Sequence, residues 1–299
     1  MTFKAIDISA WQGVVSAEVF RRMKPKIPGV IIRCSYTSQK SFSLHKDKCF
    51  EQNIVNAYKA GMKIGVYHYS QAVSETEAIQ EARFVIDAIH VHKNKINLEV
   101  AFDWEFGGRL SAGVAKRIGK QRCKQICEAF CRTIKIAGYE PMVYANLSTL
   151  TGYIASDIYK TRKIWVAQYA SRCSYKHPMY VWQYTSGGSV SGIPGRVDMN
   201  HVYGSETKTS KPEKLTTYPG KLPVLPARGW FTSGDRGNQV KLMQLFLNWF
   251  FGYERLDPDG EVGRLTMEAV RDYEGIEKLK PIDGLFGRKC LDRAKTVRR

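Results

Sequence analysis

The feature that most constrains the fold is an alternation of short apolar runs with helical patterns over the first two thirds of the chain. Five runs have the length and the β-branched or aromatic content of buried strands, at residues 5–9, 29–34, 64–69, 100–102 and 142–146. Helical patterns separate them at residues 16–23, 47–59, 74–89 and 111–137, the last as one long helix. This alternation predicts a parallel sheet covered by helices.

The alternation stops after residue 146. Residues 164–169 and 180–184 again have strand character, but little helical pattern lies between them. The loss of helices predicts a barrel that closes irregularly. In such barrels the chemistry collects at the carboxyl ends of the strands. The polar side chains at or near those ends are Asp7, Tyr67, Tyr69, Asp103, Glu105 and Tyr144.

One of these strand ends carries two carboxylates. Residues i and i+2 of a strand project from the same face, so Asp103 and Glu105 are expected to point together while Trp104 points away. Burial and like-charge repulsion raise the pKa of one carboxyl and leave the other ionised. Glycoside hydrolysis needs that combination of an acid and an anion. A solvated acidic pair in a loop explains this stretch equally well when it is taken alone.

The net charge is +18, of which residues 1–204, with 28 basic and 15 acidic side chains, contribute +13. Such a surface favours a polyanionic partner, either an anionic cell-wall or membrane surface or a nucleic acid. The chain has no recognisable nucleic-acid-binding motif, so no nucleic-acid partner is expected. Because it also lacks an apolar run of about 18 residues, no membrane span is expected.

The seven cysteines do not form an evident metal-binding pattern. Cys123, Cys127 and Cys131 recur every four residues along one face of the long predicted helix. Metal or cluster binding is an alternative, but no matching set of Cys and His accompanies them. We therefore expect buried thiols, and no metal or cofactor.

The rest of the chain predicts a second, smaller domain. Residues 205–227 are rich in Ser, Thr, Lys and Pro and have no apolar periodicity, which is typical of a linker. Residues 238–251 have helical spacing, and the pattern at residues 259–263 has a near copy at residues 283–287. Each copy precedes a short helical stretch, so residues 228–299 are predicted to form a compact helical module with an internal repeat.

Five ordered motifs carry a family resemblance across residues 3–204. They are Asp7-Ile8-Ser9 with Trp11-Gln12-Gly13, Gly65-Val66-Tyr67-His68-Tyr69, Phe102-Asp103-Trp104-Glu105, Trp182-Gln183-Tyr184 and Val197-Asp198-Met199-Asn200. Together they resemble glycoside hydrolase family 25, the Chalaropsis-type lysozymes (N-acetylmuramidases) of phage endolysins and bacterial autolysins. The resemblance implies an irregular, flattened TIM-like (β/α)5β3 barrel that hydrolyses the β-1,4 bond between N-acetylmuramic acid and N-acetylglucosamine.

The tail resembles three-helix peptidoglycan-binding domains. Residues 234–240, Met243-Gln244 and the two Asp-Gly-x-x-Gly copies carry this similarity, although the usual Leu-Gln pair is missing and residues 253–258 resemble an insertion. The resemblance implies a small all-α module that binds bacterial peptidoglycan, with anionic cell-wall polymers as further partners. The expected domain bounds are 1–204 for the barrel, 205–227 for the linker and 228–299 for the module.

The resemblance also assigns roles to individual residues. Glu105 matches the general acid, Asp103 its partner carboxylate, and Asp7 and Asp198 two further acidic residues of the cleft. The residues that it places along the sugar-binding surface are Tyr67, Tyr69, Tyr144, Gln168 and Trp182. Two reaction routes stay open: nucleophilic attack by the substrate's own acetamido group, with Asp103 orienting it, and direct inversion by water.

Two expectations concern the biological setting. The N-terminus shows no classical signal peptide, so we expect synthesis in a host cytoplasm and action on the cell wall, as for a phage endolysin. The alternative function is a non-catalytic cell-wall-binding protein, which leaves the Asp103 and Glu105 pair without a purpose.

Overall fold

The computed structural model describes residues 2–204, 217–251 and 255–297. The chain divides into two compact units, Met1–Pro212 and Glu213–Arg299. Residues 205–216 of the predicted linker lie outside the described residues, so the linker and its bounds stay a prediction.

Residues 2–204, the described part of the larger unit, contain nine strands. They are β1 (Phe3–Ile8), β2 (Gly29–Thr37), β3 (Leu44–Lys46), β4 (Lys63–Ser70), β5 (Val100–Trp104), β6 (Pro141–Asn146), β7 (Lys163–Ala167), β8 (Val181–Gly188) and β9 (Val197–Val202). Its helices are α1 (Ala17–Met23), α2 (Phe50–Lys59), α3 (Glu75–Ile89), α4 (Ala112–Ile118), α5 (Lys120–Ile136) and α6 (Leu147–Gly152). Two 3-10 turns, His90–Lys95 and Ser156–Lys160, complete the connections.

Eight of these strands close into a barrel. The order is β1-β9-β8-β7-β6-β5-β4-β2, and β1 pairs with β2 to close the ring, while β3 extends β2 on the outside. All neighbours in the ring are parallel except β9, which is antiparallel to both β8 and β1. Helices follow the first five barrel strands and none follows β7 or β8 among the described residues, which confirms the (β/α)5β3 prediction.

The barrel interior is apolar at one end and polar at the other. Ala5, Ile31, Ala101, Met142 and Val202 pack in a buried cluster inside the ring. On β1, β2 and β5 the residue two positions further on, Asp7, Arg33 or Asp103, stands above the cluster on the same inner face, and on the antiparallel β9 Asn200 stands two positions before Val202. We call this buried cluster the apolar floor, and the polar end of the barrel lies directly above it.

The helix predicted over residues 111–137 is two helices. α4 ends and α5 begins at Gly119, whose φ of 87° is outside the helical region and is adopted readily only by glycine. The prediction of a continuous helix was therefore wrong at one residue. Cys123, Cys127 and Cys131 lie on α5 and are buried, as expected.

The described residues of the smaller unit form three helices and a two-stranded ribbon. The helices are α7 (Asn238–Phe251), α8 (Arg264–Ile276) and α9 (Arg288–Ala294), and the ribbon pairs β10 (Trp230–Phe231) with β11 (Phe286–Gly287). Rings of Phe246, Tyr273 and Phe286 contact one another in the core.

The internal repeat has a structural basis. In both copies an Asp side chain accepts a hydrogen bond from the backbone two residues on, Asp259 from Glu261 and Asp283 from Leu285. In both copies the glycine has a φ of 80°, and a buried side chain, Gln244 for Gly260 and Glu274 for Gly284, accepts its N–H. The two copies are thus equivalent turns that start α8 and α9.

Candidate active site

A cavity of about 940 Å³ opens at the carboxyl ends of the parallel barrel strands. Five carboxylates line it: Asp47, which pairs with Arg33, and the predicted Asp7, Asp103, Glu105 and Asp198, together with Tyr67, Tyr69 and Tyr144. Asp198 reaches this end although it lies near the start of its strand, because β9 runs antiparallel and pairs Asp198 in register with Asp7. The structure therefore brings together all four acidic residues and three of the five sugar-binding candidates.

Asp103 and Glu105 face the cavity as the strand alternation predicts. Trp104 between them is fully buried on the other face, where its indole N–H donates to the carbonyl of Ala72 at 3.0 Å. Asp103 is 6% exposed, and its Oδ1 is buried without a hydrogen-bond partner in the described structure. A buried carboxylate oxygen without a donor is costly, so this atom is available for a donor on a bound ligand.

The electrostatics of the pair favour protonation. Burial raises the pKa of the Asp103 carboxyl well above its usual range, and the charges of Glu105 and Asp7 raise it further. Burial also raises the pKa of Glu105, with a second contribution from the Asp198 charge. Four carboxyl groups in one cavity cannot all ionise together near neutral pH, so the site holds protons that it can transfer.

Asp7 is held by a network of neutral hydrogen-bond donors. Its Oδ2 accepts from Gln183 Nε2 at 3.0 Å and from Asn200 Nδ2 at 2.8 Å. Gln183 Oε1 in turn accepts from the hydroxyls of Tyr144 and Tyr169, each at 3.1 Å. These contacts fix the position of the Asp7 carboxyl above the apolar floor.

The orientation of the Asn200 amide follows from an indole that can only donate. Trp165 Nε1 lies 2.9 Å from Asn200 Oδ1, so the oxygen of the amide faces Trp165 and its NH₂ faces Asp7. Burial raises the pKa of Asp7 to about 8, with the Asp198 charge adding to the effect and the Asn200 and Gln183 hydrogen bonds opposing it. Asp7 is therefore the protonated partner of Asp198 at neutral pH.

Asp7→Asn should stabilise the larger unit progressively as the pH rises. The folded protein retains the Asp7 proton up to a pKa of about 8, whereas the unfolded chain releases it near 3.8, so wild-type stability is lost as the pH rises through this window. Asparagine reproduces the protonated form, accepting from both amides and donating to Asp198. Calorimetry from pH 4 to 8 should show a relative gain that grows by about 1 kcal/mol or more, which is about 2–4 °C in Tm.

The control is Asp87→Asn, an exposed carboxylate on α3. If the difference in Tm between Asp7→Asn and wild type stays constant over the pH range, Asp7 does not hold a proton in the folded state.

The segment after β5 is fastened to the end of β4. Gln71 Nε2 donates to the carbonyl of Glu105 at 3.4 Å, and Gln71 Oε1 accepts from the Leu110 N–H at 3.0 Å. Arg109 pairs with Glu77 at 2.6 Å and also donates to the Gln71 carbonyl. The backbone that carries Glu105 is thus held at both sides, which favours a defined position for its carboxyl.

Two of the predicted sugar-binding residues do not line this cavity. Gln168 uses its amide to bind Ser174, accepting from its N–H at 2.7 Å and donating to its hydroxyl at 2.9 Å. Trp182 donates its indole N–H to the Gln168 carbonyl and packs beside Tyr184 and His201. Trp182 faces away from the cavity because Gln183, the next residue on β8, takes the inward position. Gln168 follows Ala167, which packs in the buried cluster inside the ring.

Sequence reasoning missed several residues of the site. Those that line the cavity or hold its carboxylates are Trp11, Arg33, Trp165, Tyr169, Gln183 and Asn200. Strand alternation offered a signal for two of them: Asn200 lies two residues after Asp198, and Gln183 faces opposite to Trp182. Trp11 is 86% exposed at the mouth of the cavity, where an aromatic face is open to a ligand.

The described residues contain no group of three or more His, Cys, Asp or Glu side chains that could hold a metal ion. No helix in the same residues is long and apolar enough to cross a membrane.

Two family models match the chain: Glycosyl hydrolases family 25 over residues 6–193, and Putative peptidoglycan binding domain over residues 236–293. The autolytic lysozyme of Clostridium acetobutylicum is 25% identical over 278 residues, which cover 91% of this chain and 73% of that protein. Lysozyme M1 of Streptomyces globisporus is 24% identical over 214 residues, covering 69% of each chain.

Among solved structures, the modular autolysin LytC of Streptococcus pneumoniae superposes with a TM-score of 0.58 and 29% identity. The match covers 68% of this chain and 47% of LytC, so the chain spans about half the length of that autolysin.

Proposed function

Because the chain belongs to glycosyl hydrolases family 25, we propose that it is a lysozyme that hydrolyses the β-1,4 bond between N-acetylmuramic acid and N-acetylglucosamine in peptidoglycan. The observation that carries this proposal is the pair Asp103 and Glu105 at the end of β5, both turned into the cavity and both with a raised pKa. A non-catalytic wall-binding protein gains nothing from the cost of burying Asp7 and Asp103 beside the half-buried Glu105 and Asp198.

Glu105 is the general acid in this proposal. It is less buried than Asp103, so it can reach a glycosidic oxygen at the cavity wall, and its raised pKa keeps a proton available near neutral pH. Proton donation to the leaving oxygen lets the bond to the anomeric carbon break without releasing a strongly basic alkoxide. Activity that depends on protonated Glu105 falls as the pH rises through its pKa.

Asp103 is the partner carboxyl that stabilises the positive charge formed on the sugar. Its Oδ1 has no donor in the described structure, and the acetamido N–H of a bound sugar supplies one. Holding that N–H directs the acetamido oxygen at the anomeric carbon, which is attack by the substrate's own group. The two carboxyls come from positions i and i+2 of one strand, which favours this route over an inverting water between widely separated carboxyls.

Proton NMR of the first-formed product distinguishes the two routes. Attack by the acetamido group followed by water retains the β configuration at the new reducing end, whereas direct displacement by water produces the α anomer. We expect the β anomer to form first and then to equilibrate slowly.

Aromatic rings supply the sugar-binding surface. Tyr67 and Tyr69 line the cavity from β4 and Tyr144 lines it from β6, while Trp11 stands exposed at the mouth. An aromatic face offers a pyranose ring an apolar contact, and the hydroxyls fix orientation.

The smaller unit belongs with this activity as a peptidoglycan-binding module. It has its own cavity of about 350 Å³, with Trp230, Leu279 and Leu285 in its lining and basic side chains around them. Trp230 is 43% exposed. We propose this cavity as the wall contact of the module, because an exposed indole beside cationic groups suits a peptide-substituted, acidic glycan.

Trp230→Ala should weaken retention on intact walls without changing cleavage of soluble fragments. A second binding site raises the effective concentration of the barrel at the wall, so losing it is expected to lower wall binding about tenfold or more. Co-sedimentation with purified peptidoglycan measures binding, and turnover of soluble oligomers measures cleavage. The control is Leu265→Ala, an exposed apolar residue outside the cavity.

A chain ending at residue 212 provides the complementary test, since the larger unit has its own core. It should match Trp230→Ala on walls and wild type on soluble oligomers. Full wall retention by both variants would show that the smaller unit is not a targeting module.

We further propose that the protein acts on the cell wall after synthesis in a host cytoplasm, with a phage endolysin as its source. The wall-directed chemistry of both units supports the place of action. We expect the protein, when it is expressed in the cytoplasm of a susceptible host, to lyse that host only if a membrane-permeabilising protein is supplied as well.

A further inference from the structure

The lining of the catalytic cavity carries charges of both signs. Asp7, Asp103, Glu105 and Asp198 lie on or just after β1, β5 and β9, whereas a basic wall is formed by Arg33 on β2, Lys40 between β2 and β3, Lys46 on β3 and Lys48 just after β3. Sugar rings are uncharged, so neither an acid nor a nucleophile explains a group of cations here. The basic wall therefore indicates contact with a charged part of the substrate other than the sugar rings.

The position of the basic wall is fixed by one buried carboxylate, Asp47. Asp47 is 3% exposed, and its two oxygens accept hydrogen bonds from Arg33 Nε at 2.8 Å, Ala10 N at 3.0 Å and Cys49 N at 2.9 Å. These contacts join β2, the segment after β1 and the start of α2. Lys46 and Lys48 flank Asp47 directly, so their backbone positions are fixed relative to the cavity.

The four cations of the basic wall differ in whether they form an ion pair with a carboxylate. Arg33 is paired with Asp47, and Lys46 is paired with Glu51. Lys40 and Lys48 are exposed, and neither has an ion-pair partner among the residues that the structure describes. Two unmatched positive charges therefore face the cavity from the same wall.

We propose that Lys40 and Lys48 form a subsite for an anionic substituent of the glycan chain, either a carboxylate of the stem peptide or a phosphodiester on muramic acid. This inference rests on the proposed function and adds to it the substituent that the enzyme selects. The ionised catalytic carboxylates repel an anion, so a substituted muramic acid is oriented with its anion toward the lysines and its anomeric carbon toward Glu105.

The test compares three soluble oligomers of alternating N-acetylglucosamine and N-acetylmuramic acid. In the first, the lactyl group is capped as a methylamide and the oligomer is neutral. The second carries stem peptides with free carboxylates, and the third is the capped oligomer with a phosphodiester at the muramic acid 6-hydroxyl. The variant is Lys40→Ala/Lys48→Ala, and kcat and KM are measured on each oligomer at low salt.

We expect KM of the variant to rise about threefold to tenfold on an oligomer with the recognised anion, with kcat nearly unchanged, because two partly exposed charges contribute modestly. KM on the neutral oligomer should stay within twofold of wild type. The charged oligomer that responds identifies the source of the anion. At high salt the difference should shrink, since exposed charges are screened over about 8 Å at physiological ionic strength.

The matched control is Lys59→Ala/Lys116→Ala, which removes two exposed lysines from α2 and α4 outside the cavity. An equal rise in KM with the control variant, an equal rise on the neutral oligomer, or no rise on either charged oligomer would overturn the subsite. Wild type that cleaves none of the three oligomers would overturn the proposed function together with it, whereas normal turnover with an unchanged KM overturns the subsite alone.

Discussion

Glu105→Gln should reduce turnover by about 10²–10⁴-fold, the usual contribution of a general acid. Glutamine has the shape of the protonated acid but cannot release a proton to the leaving oxygen. Folding should survive, because the change removes a carboxyl group whose pKa burial raises and which therefore costs energy when ionised. Clearing of a peptidoglycan suspension and turnover of soluble oligomers should fall together, while wall binding stays at the wild-type level.

The control for this substitution is Glu18→Gln, whose side chain on α1 is 74% exposed and lies outside the cavity. It should retain wild-type turnover. A Glu105→Gln enzyme with more than half of wild-type turnover would end the assignment of Glu105 as the acid.

Asp103→Asn should be the second most damaging change, with a loss of about 10²-fold or more in kcat. Asparagine keeps an oxygen that can accept the acetamido N–H, but unlike a carboxyl group it cannot become negatively charged as positive charge develops on the sugar. KM should change little, since the lost interaction strengthens only in the transition state. The same substitution should raise Tm, because it relieves burial and repulsion of a carboxyl whose pKa is raised well above its usual range.

The opposite signs on activity and stability separate a catalytic role from a structural one. A residue that only supports the fold loses both when it is substituted. Asp87→Asn again serves as the exposed control, and it should change neither quantity. If Asp103→Asn retains a tenth or more of wild-type kcat, the charge of Asp103 is not used in the transition state.

The sequence predicted the barrel because its strands are buried on both faces and therefore form continuous apolar runs. The same pattern placed Asp103 and Glu105, since alternation along β5 needs no tertiary information. Asp198 came from the resemblance alone. Its position depends on β9 running antiparallel and pairing with β1, and no local pattern shows strand direction.

Gln168 and Trp182 lie away from the cavity for a physical reason of the same kind. Gln168 follows β7 and Trp182 pairs with Val166 near the end of β7, but the inward position in β8 belongs to Gln183, which donates to Asp7. The preference for Gln183 becomes evident only with Asp7, Tyr144 and Tyr169 in place around it. Gly119 lies within a helical periodicity that continues on both sides, so the periodic pattern did not show that α4 and α5 are separate helices.

Mass spectrometry of the muropeptides released from defined cell walls tests the central claim most directly. Walls digested by the wild-type protein should yield disaccharide-peptides with N-acetylmuramic acid at the new reducing end, and the Glu105→Gln protein should release almost none under the same conditions. Reduction with borohydride before analysis converts that end to muramitol and identifies it by mass. Release of fragments ending in N-acetylglucosamine, or of free peptides with the glycan intact, would contradict the account.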